Sequence, residues 1–240
     1  MAGLVVANWK MYKTSSEAKE FFEELLPIVR DEQKEMVVCP PAVFLPLAAK
    51  ITLGSNVQIG SQNVHHELQG QFTGEISVQM IKEYCSYVIV GHSERRPFES
   101  EEVVAAKLRL VLSSGLWAIL CIGERLEQRE LGETAQVIRR QMTTALEGCS
   151  KEALAKLVVA YEPVWAIGTG VSANAEQTGQ VHALIREMLD SRFVKARIIY
   201  GGSVTPEDVG QIMRMQNVDG VLVGGASLNA NAFAEIVKSS

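Results

Sequence analysis

The chain has 240 residues, 47% of them hydrophobic and 21% charged, the make-up of a folded globular protein rather than a disordered or fibrous one. Its 23 basic and 28 acidic residues leave a formal charge of -5 with no basic run, which argues against nucleic acid or an anionic membrane as the main partner. An anionic ligand would have to be held by a few local positive groups.

Short apolar, β-branched runs follow one another along the chain: Leu4 to Ala7, Met36 to Cys39, Val57 to Gly60, Tyr87 to Val90, Trp117 to Cys121, Leu157 to Tyr161, Arg197 to Tyr200 and Gly220 to Val223. Apolar residues sit consecutively in them rather than alternately, as in parallel strands buried on both faces. Charged, helix-periodic stretches lie between them at Ser15 to Arg30, Glu101 to Leu112, Leu126 to Leu146, Ala175 to Asp190 and Pro206 to Met215. Thr205 is expected to cap the last of these, with Pro206 at the first helical position. Seven spacings between Leu4 and Val221 average 31 residues, enough for a strand, a loop and a helix. The prediction is an α/β fold, a single (β/α)8 TIM barrel domain over residues 1–240. A doubly wound sheet is disfavoured, because the first strand leads into Asn8-Trp9-Lys10 rather than a GxGxxG turn.

Cys39, Cys85, Cys121 and Cys149 are widely spaced with no CxxC pair, so they read as reduced thiols, with neither a disulfide framework nor a zinc site. The opening MAGLVVANWKMYK lacks the basic leader and cleavage site of a signal peptide, and no uncharged apolar run nears the length of a membrane span. These features predict a cytoplasmic protein.

In such a barrel the site is built from loops at the C-terminal ends of the strands. Polar residues gather there: Asn8 and Lys10, Gln62 and Asn63, His92 with Glu94, Arg95 and Arg96, Glu162, Gly201-Gly202-Ser203, and Gly224-Gly225. The paired glycines of YGGSV and VGGAS let backbone N–H groups approach an anion, which suggests a phosphate cradle with Ser203 adding a hydroxyl; tight turns alone would use the same residues. Glu162, just after an apolar strand, suits a general base whose pKa is raised by desolvation, although a solvated turn glutamate would read alike. The small, glycine-punctuated stretch Ala166 to Gly170 suits a lid. His92 is placed to polarise a carbonyl as a neutral imidazole, its pKa lowered by a helix start behind it. Lys10 supplies fixed positive charge. A Schiff-base role for it is disfavoured by its loop position and by Glu94 as a partner, and Arg95 and Arg96 suit a structural ion-pair network.

Taken together, ANWKM, GSQNV, QFTGE, YVIVGHSERR, CIGE, AYEPVWAIGTG, YGGSV and DGVLVGGASL resemble the triosephosphate isomerase family along essentially the whole chain. The resemblance implies a cofactor-free, metal-free interconversion of dihydroxyacetone phosphate and D-glyceraldehyde 3-phosphate through an enediolate, in glycolysis and gluconeogenesis. The scheme is the family's own: Glu162 as proton-shuttling base and His92 as electrophile. Asn8 and Lys10 correspond to substrate-binding residues, while Gly168, Ser203, Gly224 and Gly225 correspond to those that hold the phosphate. Gln71 to Glu75 corresponds to an interface loop, its Thr73 reaching toward a second subunit, so a homodimer is implied. Three positions depart from the family pattern: Val171 in the lid's second hinge, the short Pro97-Phe98-Glu99-Ser100 segment, and Asp208 in place of a frequent asparagine. A sugar-phosphate epimerase or aldolase on the same barrel would share the phosphate loops, but such an epimerase would want paired aspartates or a metal-binding set at the strand ends, and none is evident in the sequence. A phosphometabolite-binding barrel without catalysis would keep the glycine loops and could shed Glu162 or His92.

Overall fold

The computed structural model describes residues 3–166, 175–191 and 195–240. Eight parallel strands close into a barrel in sequence order: β1 Leu4–Asn8, β2 Glu35–Cys39, β3 Val57–Ser61, β4 Tyr87–Val90, β5 Trp117–Ile122, β6 Leu157–Tyr161, β7 Arg197–Tyr200 and β8 Gly220–Val223. Every predicted strand is present, within one residue at either end. The seam joins β1 to β8, with Leu4 opposite Gly220 and Val6 opposite Leu222.

Consecutive apolar residues are needed because each strand serves two cores. Leu4 and Val6 point into the barrel with Val37, Ile89, Ile119, Val158 and Leu222, whereas Val5 and Ala7 face the outer layer with Phe22, Leu25 and Phe233. The period of two sends alternate residues to opposite sides, and both sides are dry.

The outer layer holds α1 Ser15–Val29, α2 Leu45–Ile51, α3 Val78–Ile81, α4 Glu101–Ser113, α5 Leu126–Glu130, α6 Thr134–Leu146, α7 Ala175–Asp190, α8 Val209–Ile212 and α9 Ala230–Ser239. A capping box starts α1: Thr14 Oγ1 accepts from the Glu17 N–H and Glu17 Oε2 accepts from the Thr14 N–H. The segment expected as one helix from Leu126 to Leu146 is two, because Gly132 has φ +73° and turns the chain between α5 and α6. The helix expected over Pro206 to Met215 shrinks to α8. Asp208 Oδ1 accepts from the Thr205 N–H at 2.7 Å, so the aspartate organises this turn and the predicted Thr205 cap is not formed. The Pro97 to Ser100 segment makes a short 3-10 turn at Arg96–Phe98, after which Ser100 caps α4.

The opposite end of the barrel is closed by polar residues that begin four strands. Arg197 of β7 pairs with Glu35 of β2, the Tyr87 hydroxyl of β4 donates to Glu35, and the Arg197 guanidinium lies 5.1 Å from the Trp117 ring centroid of β5. In this architecture the N-terminal end of the barrel serves stability. Among the described residues, no helix is long and apolar enough to cross a membrane.

Candidate active site

A cavity of about 310 Å³ opens at the C-terminal ends of the strands, lined by Asn8, Lys10, His92, Glu162, the loop Gly201 to Thr205 and the loop Gly224 to Ala226. The chain thus brings together almost every candidate drawn from the sequence. Gly168 and Val171 lie outside the described residues. Gln62 and Asn63 stand beside the cavity rather than in it: Gln62 Nε2 donates to the Lys10 carbonyl at 2.9 Å, and Asn63 Oδ1 accepts from Lys107 Nζ at 2.9 Å.

Lys10 follows β1 with φ +51°, a left-handed conformation that costs a non-glycine residue about 1–2 kcal/mol and persists where neighbours over-determine it. Three contacts do so. Asn8 Oδ1 accepts from the Lys10 N–H at 3.0 Å, Gln62 holds the carbonyl, and Lys10 Nζ donates to Glu94 Oε1 at 2.7 Å. The ammonium is thereby fixed at the mouth with only part of its surface exposed.

Glu162 and His92 form a buried pair. Glu162 Oε1 lies 3.0 Å from His92 Nε2, and Glu162 Oε2 accepts from the Ser93 N–H at 2.8 Å. Two glycines leave room for this arm: a Cβ on Gly123 would stand 1.7 Å from the Glu162 carbonyl oxygen, and one on Gly201 would stand 3.0 Å from Glu162 Cγ. The Glu94 N–H donates to His92 Nδ1 at 3.2 Å. A donor aimed at Nδ1 needs a lone pair there, so the ring carries its proton on Nε2, facing the carboxylate.

Both pKa expectations are corrected by this pairing. Burial pushes Glu162 upward as anticipated, but the attraction of His92 and the hydrogen bonds from His92 and Ser93 outweigh it, and the carboxyl lies below its ordinary range. Burial pushes His92 downward, and the facing Glu162 carboxylate reverses the direction, so the ring lies above its ordinary value. The carboxylate was weighed alone from sequence. Its strongest partner comes from a different strand end.

The glycine loops after the neighbouring strands β7 and β8 line the same cavity. Gly224 leads into a 3-10 turn, Gly225–Leu228, held by Ser227, whose N–H and hydroxyl both donate to the Gly224 carbonyl. The first N–H groups of such a turn have no acceptor within it and are available to an anion. A Cβ on Gly224 would stand 3.6 Å from Lys10 Cε, so this cradle borders the fixed ammonium.

Sequence reasoning left Glu124 and Gln141 without roles. Glu124 is fully buried and accepts from Tyr161, Trp165 and Arg129, anchoring the stretch that follows Glu162. Gln141 of α6 grips the Gly123 peptide, accepting from its N–H at 2.9 Å and donating to its carbonyl at 3.2 Å. Glu124 belongs to the CIGE motif, and a charged residue ending a buried strand was a usable signal; Gln141 had none. Glu99 and Glu101 neutralise Arg95 and Arg96, as the ion-pair network requires. Among the described residues no cluster of three histidine, cysteine or acidic side chains could hold a metal ion.

A family model described as triosephosphate isomerase matches residues 3–240. The chain is 44% identical to the triosephosphate isomerase of Dictyoglomus thermophilum over 98% of both chains. It is 46% identical to that of Clostridium perfringens over 98% of both, and 45% identical to that of Aquifex aeolicus over the full length of each. Matches of this extent, on a closed eight-stranded barrel with these strand-end residues, place the chain in the triosephosphate isomerase family.

Proposed function

We propose that this chain interconverts dihydroxyacetone phosphate and D-glyceraldehyde 3-phosphate with Glu162, His92 and Lys10 as its catalytic groups. The observation that carries the reading is the buried Glu162 carboxylate, ionised and paired with the His92 imidazole in the wall of a cavity that also holds an ammonium and two glycine loops.

Each group has a defined task. Glu162 takes the proton from the carbon beside the carbonyl of one triose phosphate and returns it to the neighbouring carbon, so the carboxylate is regenerated. The Nε2–H of His92, released from Glu162 as the carboxylate turns to the substrate carbon, donates to the oxygen on which enediolate charge builds and relays the hydroxyl proton between the two substrate oxygens, and Lys10 adds a fixed positive charge nearby. Asn8 holds the Lys10 backbone. Gly168, Ser203, Gly224 and Gly225 take the phosphate, and closure of the stretch after Ala166 shields the enediolate from water and suppresses phosphate loss. The chemistry needs no cofactor or metal. The resemblance also supports a cytoplasmic place in glycolysis and gluconeogenesis.

A homodimer through Gln71 to Glu75 completes the reading. Large apolar side chains stand exposed in the loops after four adjacent strands: Met11 after β1, Val43 after β2, Phe72 after β3 and Phe98 after β4. One side of the barrel rim is therefore apolar, as a self-complementary contact requires.

The test is the rate of dihydroxyacetone phosphate formation from glyceraldehyde 3-phosphate with metals chelated, beside Glu162→Gln. Fast turnover that resists chelation and falls by orders of magnitude in the variant is expected. An unaltered rate in the variant rejects the base; no turnover in a folded dimer favours a non-catalytic phosphometabolite binder.

A further inference from the structure

Two lysines of the loop between β1 and α1 hold left-handed backbone three residues apart. Lys10, at φ +51°, lines the cavity; Lys13, at φ +76°, does not. Glycine adopts such a conformation without strain, whereas in a lysine the strain has to be offset by contacts of its side chain.

Those contacts leave the loop. Lys13 Nζ donates to the Leu228 carbonyl at 2.7 Å. It also lies 5.1 Å from the Trp9 ring centroid and 5.0 Å from that of Phe21, close enough for cation–π attraction. Burial holds its pKa below the ordinary lysine value, although Glu17, Glu24 and Glu20 of α1 pull the other way. Backbone strain and desolvation thus fall on one residue, whose hydrogen bond ties two loops together.

The loop it reaches is the phosphate cradle. Leu228 ends the 3-10 turn that begins at Gly225, and its carbonyl is an acceptor that so short a turn leaves free. At the head of the turn Gly224 and Gly225 line the cavity. The N–H and hydroxyl of Ser227 both donate to the Gly224 carbonyl, so a shift at Leu228 is passed back to the two glycines. The loops after β1 and β8, neighbours across the barrel seam, therefore meet twice: inside the cavity where Gly224 borders Lys10, and outside it where Lys13 holds Leu228.

We propose that Lys13 is a positioning residue for the substrate phosphate: by strapping Leu228 to the β1–α1 loop it fixes the Gly224–Gly225 cradle relative to the Lys10 ammonium. It acts through the turn and not on the reacting atoms. The proposal rests on the reading of that cradle as the phosphate subsite. Phosphate is held alike before and during proton transfer, so a loosened cradle raises KM more than it lowers kcat.

The variants are Lys13→Gly and Lys13→Asn, which tolerate positive φ but are too short to reach Leu228, and Lys13→Arg, which can donate to the same carbonyl. Calorimetry measures binding of sn-glycerol 3-phosphate, which carries the phosphate and cannot isomerise; steady-state kinetics run beside it, at a temperature where a thermal melt shows every variant folded. In Lys13→Gly and Lys13→Asn the Kd and KM are expected to rise about tenfold, the effect of misaligning one hydrogen bond to a charged group, with a smaller fall in kcat. Lys13→Arg should restore both to within about threefold of the parent. A Kd unchanged in Lys13→Gly and Lys13→Asn overturns the proposal even if their melting temperatures fall, because a merely structural lysine would affect stability and leave the affinity of the folded protein alone. A rise confined to Lys13→Gly assigns the effect to glycine flexibility, and an equal rise in Lys13→Arg removes the bond to Leu228 as its cause; either overturns the strap. No binding by the parent chain overturns the cradle reading and the strap with it, whereas parent binding that all three variants share overturns the strap alone.

Discussion

Replacing Gly201 by alanine tests whether the position of the Glu162 arm, rather than its presence, sets the rate. The added methyl would stand 3.0 Å from Glu162 Cγ and 3.3 Å from the Tyr161 carbonyl oxygen, against an ordinary carbon–carbon contact of about 3.5–4.0 Å. The carbonyl belongs to a barrel strand and cannot yield, so the Glu162 arm must give by about half an ångström. A misplacement of about 1 Å costs about 100-fold in rate, so half of that predicts a fall of about tenfold in kcat. Gly201 shares its loop with Ser203 of the phosphate cradle, so KM should rise as well, but by less than kcat falls. The assay is steady-state isomerisation in both directions with a thermal melt alongside. A kcat within about twofold of the parent, in a protein of unchanged melting temperature, would refute the idea that this glycine reserves space for the base.

Gly224→Ala should act the other way, raising KM more than it lowers kcat, because its methyl borders Lys10 Cε at 3.6 Å within the phosphate cradle; unchanged KM would remove Gly224 from the cradle. Arg197→Leu strips Glu35 of the guanidinium and the Tyr87 hydroxyl of its donor at 3.0 Å, and should cost about 2 kcal/mol, or about 4–8 °C in Tm, with kcat preserved. His182 is buried with its pKa lowered from 6.5 to about 4 by desolvation, chiefly. The unfolded chain therefore takes up the proton first, and stability falls as pH drops from about 6.5 to about 4. Between pH 7 and pH 5 this one group should remove about 2 kcal/mol, and urea midpoints of His182→Gln should show that part of the slope gone. Thr73→Arg should yield monomers by sedimentation and loss of activity; a fully active monomer would contradict dependence on assembly.

The barrel was legible because burial on both faces writes itself into consecutive apolar residues, as in Leu4 to Ala7 and Leu157 to Tyr161. The mouth was legible because polar or glycine-rich clusters at six of the eight strand ends have no structural reason to recur there. What stayed hidden depended on contacts between distant segments. The break at Gly132 interrupts an apolar periodicity that continues on both sides of it, and α8 is too short to impose a helical period. The pKa directions reversed because Glu162 meets His92 at 3.0 Å, a distance that only the closed barrel creates. Gln141 was illegible for the same reason, since a glutamine on an amphipathic helix carries no mark of the peptide it grips across the fold.

The seam between β1 and β8 separates this fold's assembly from that of an open sheet. Seven of the strand pairings join neighbours in the chain, but Leu4 meets Gly220 only when nearly the whole sequence is available. A nascent or truncated chain that stops short of Gly220 therefore keeps β1 as a bare parallel edge, apolar on both faces, able to pair with another chain. Docking α9 against α1, with Lys34 Nζ reaching the Val237 carbonyl at 2.8 Å, latches the final strand once it arrives. Loss of residues 230–240, which form α9 and the terminal Ser240, should thus be felt less at the mouth, where no residue of α9 stands, than in refolding yield, where an unlatched barrel competes with aggregation.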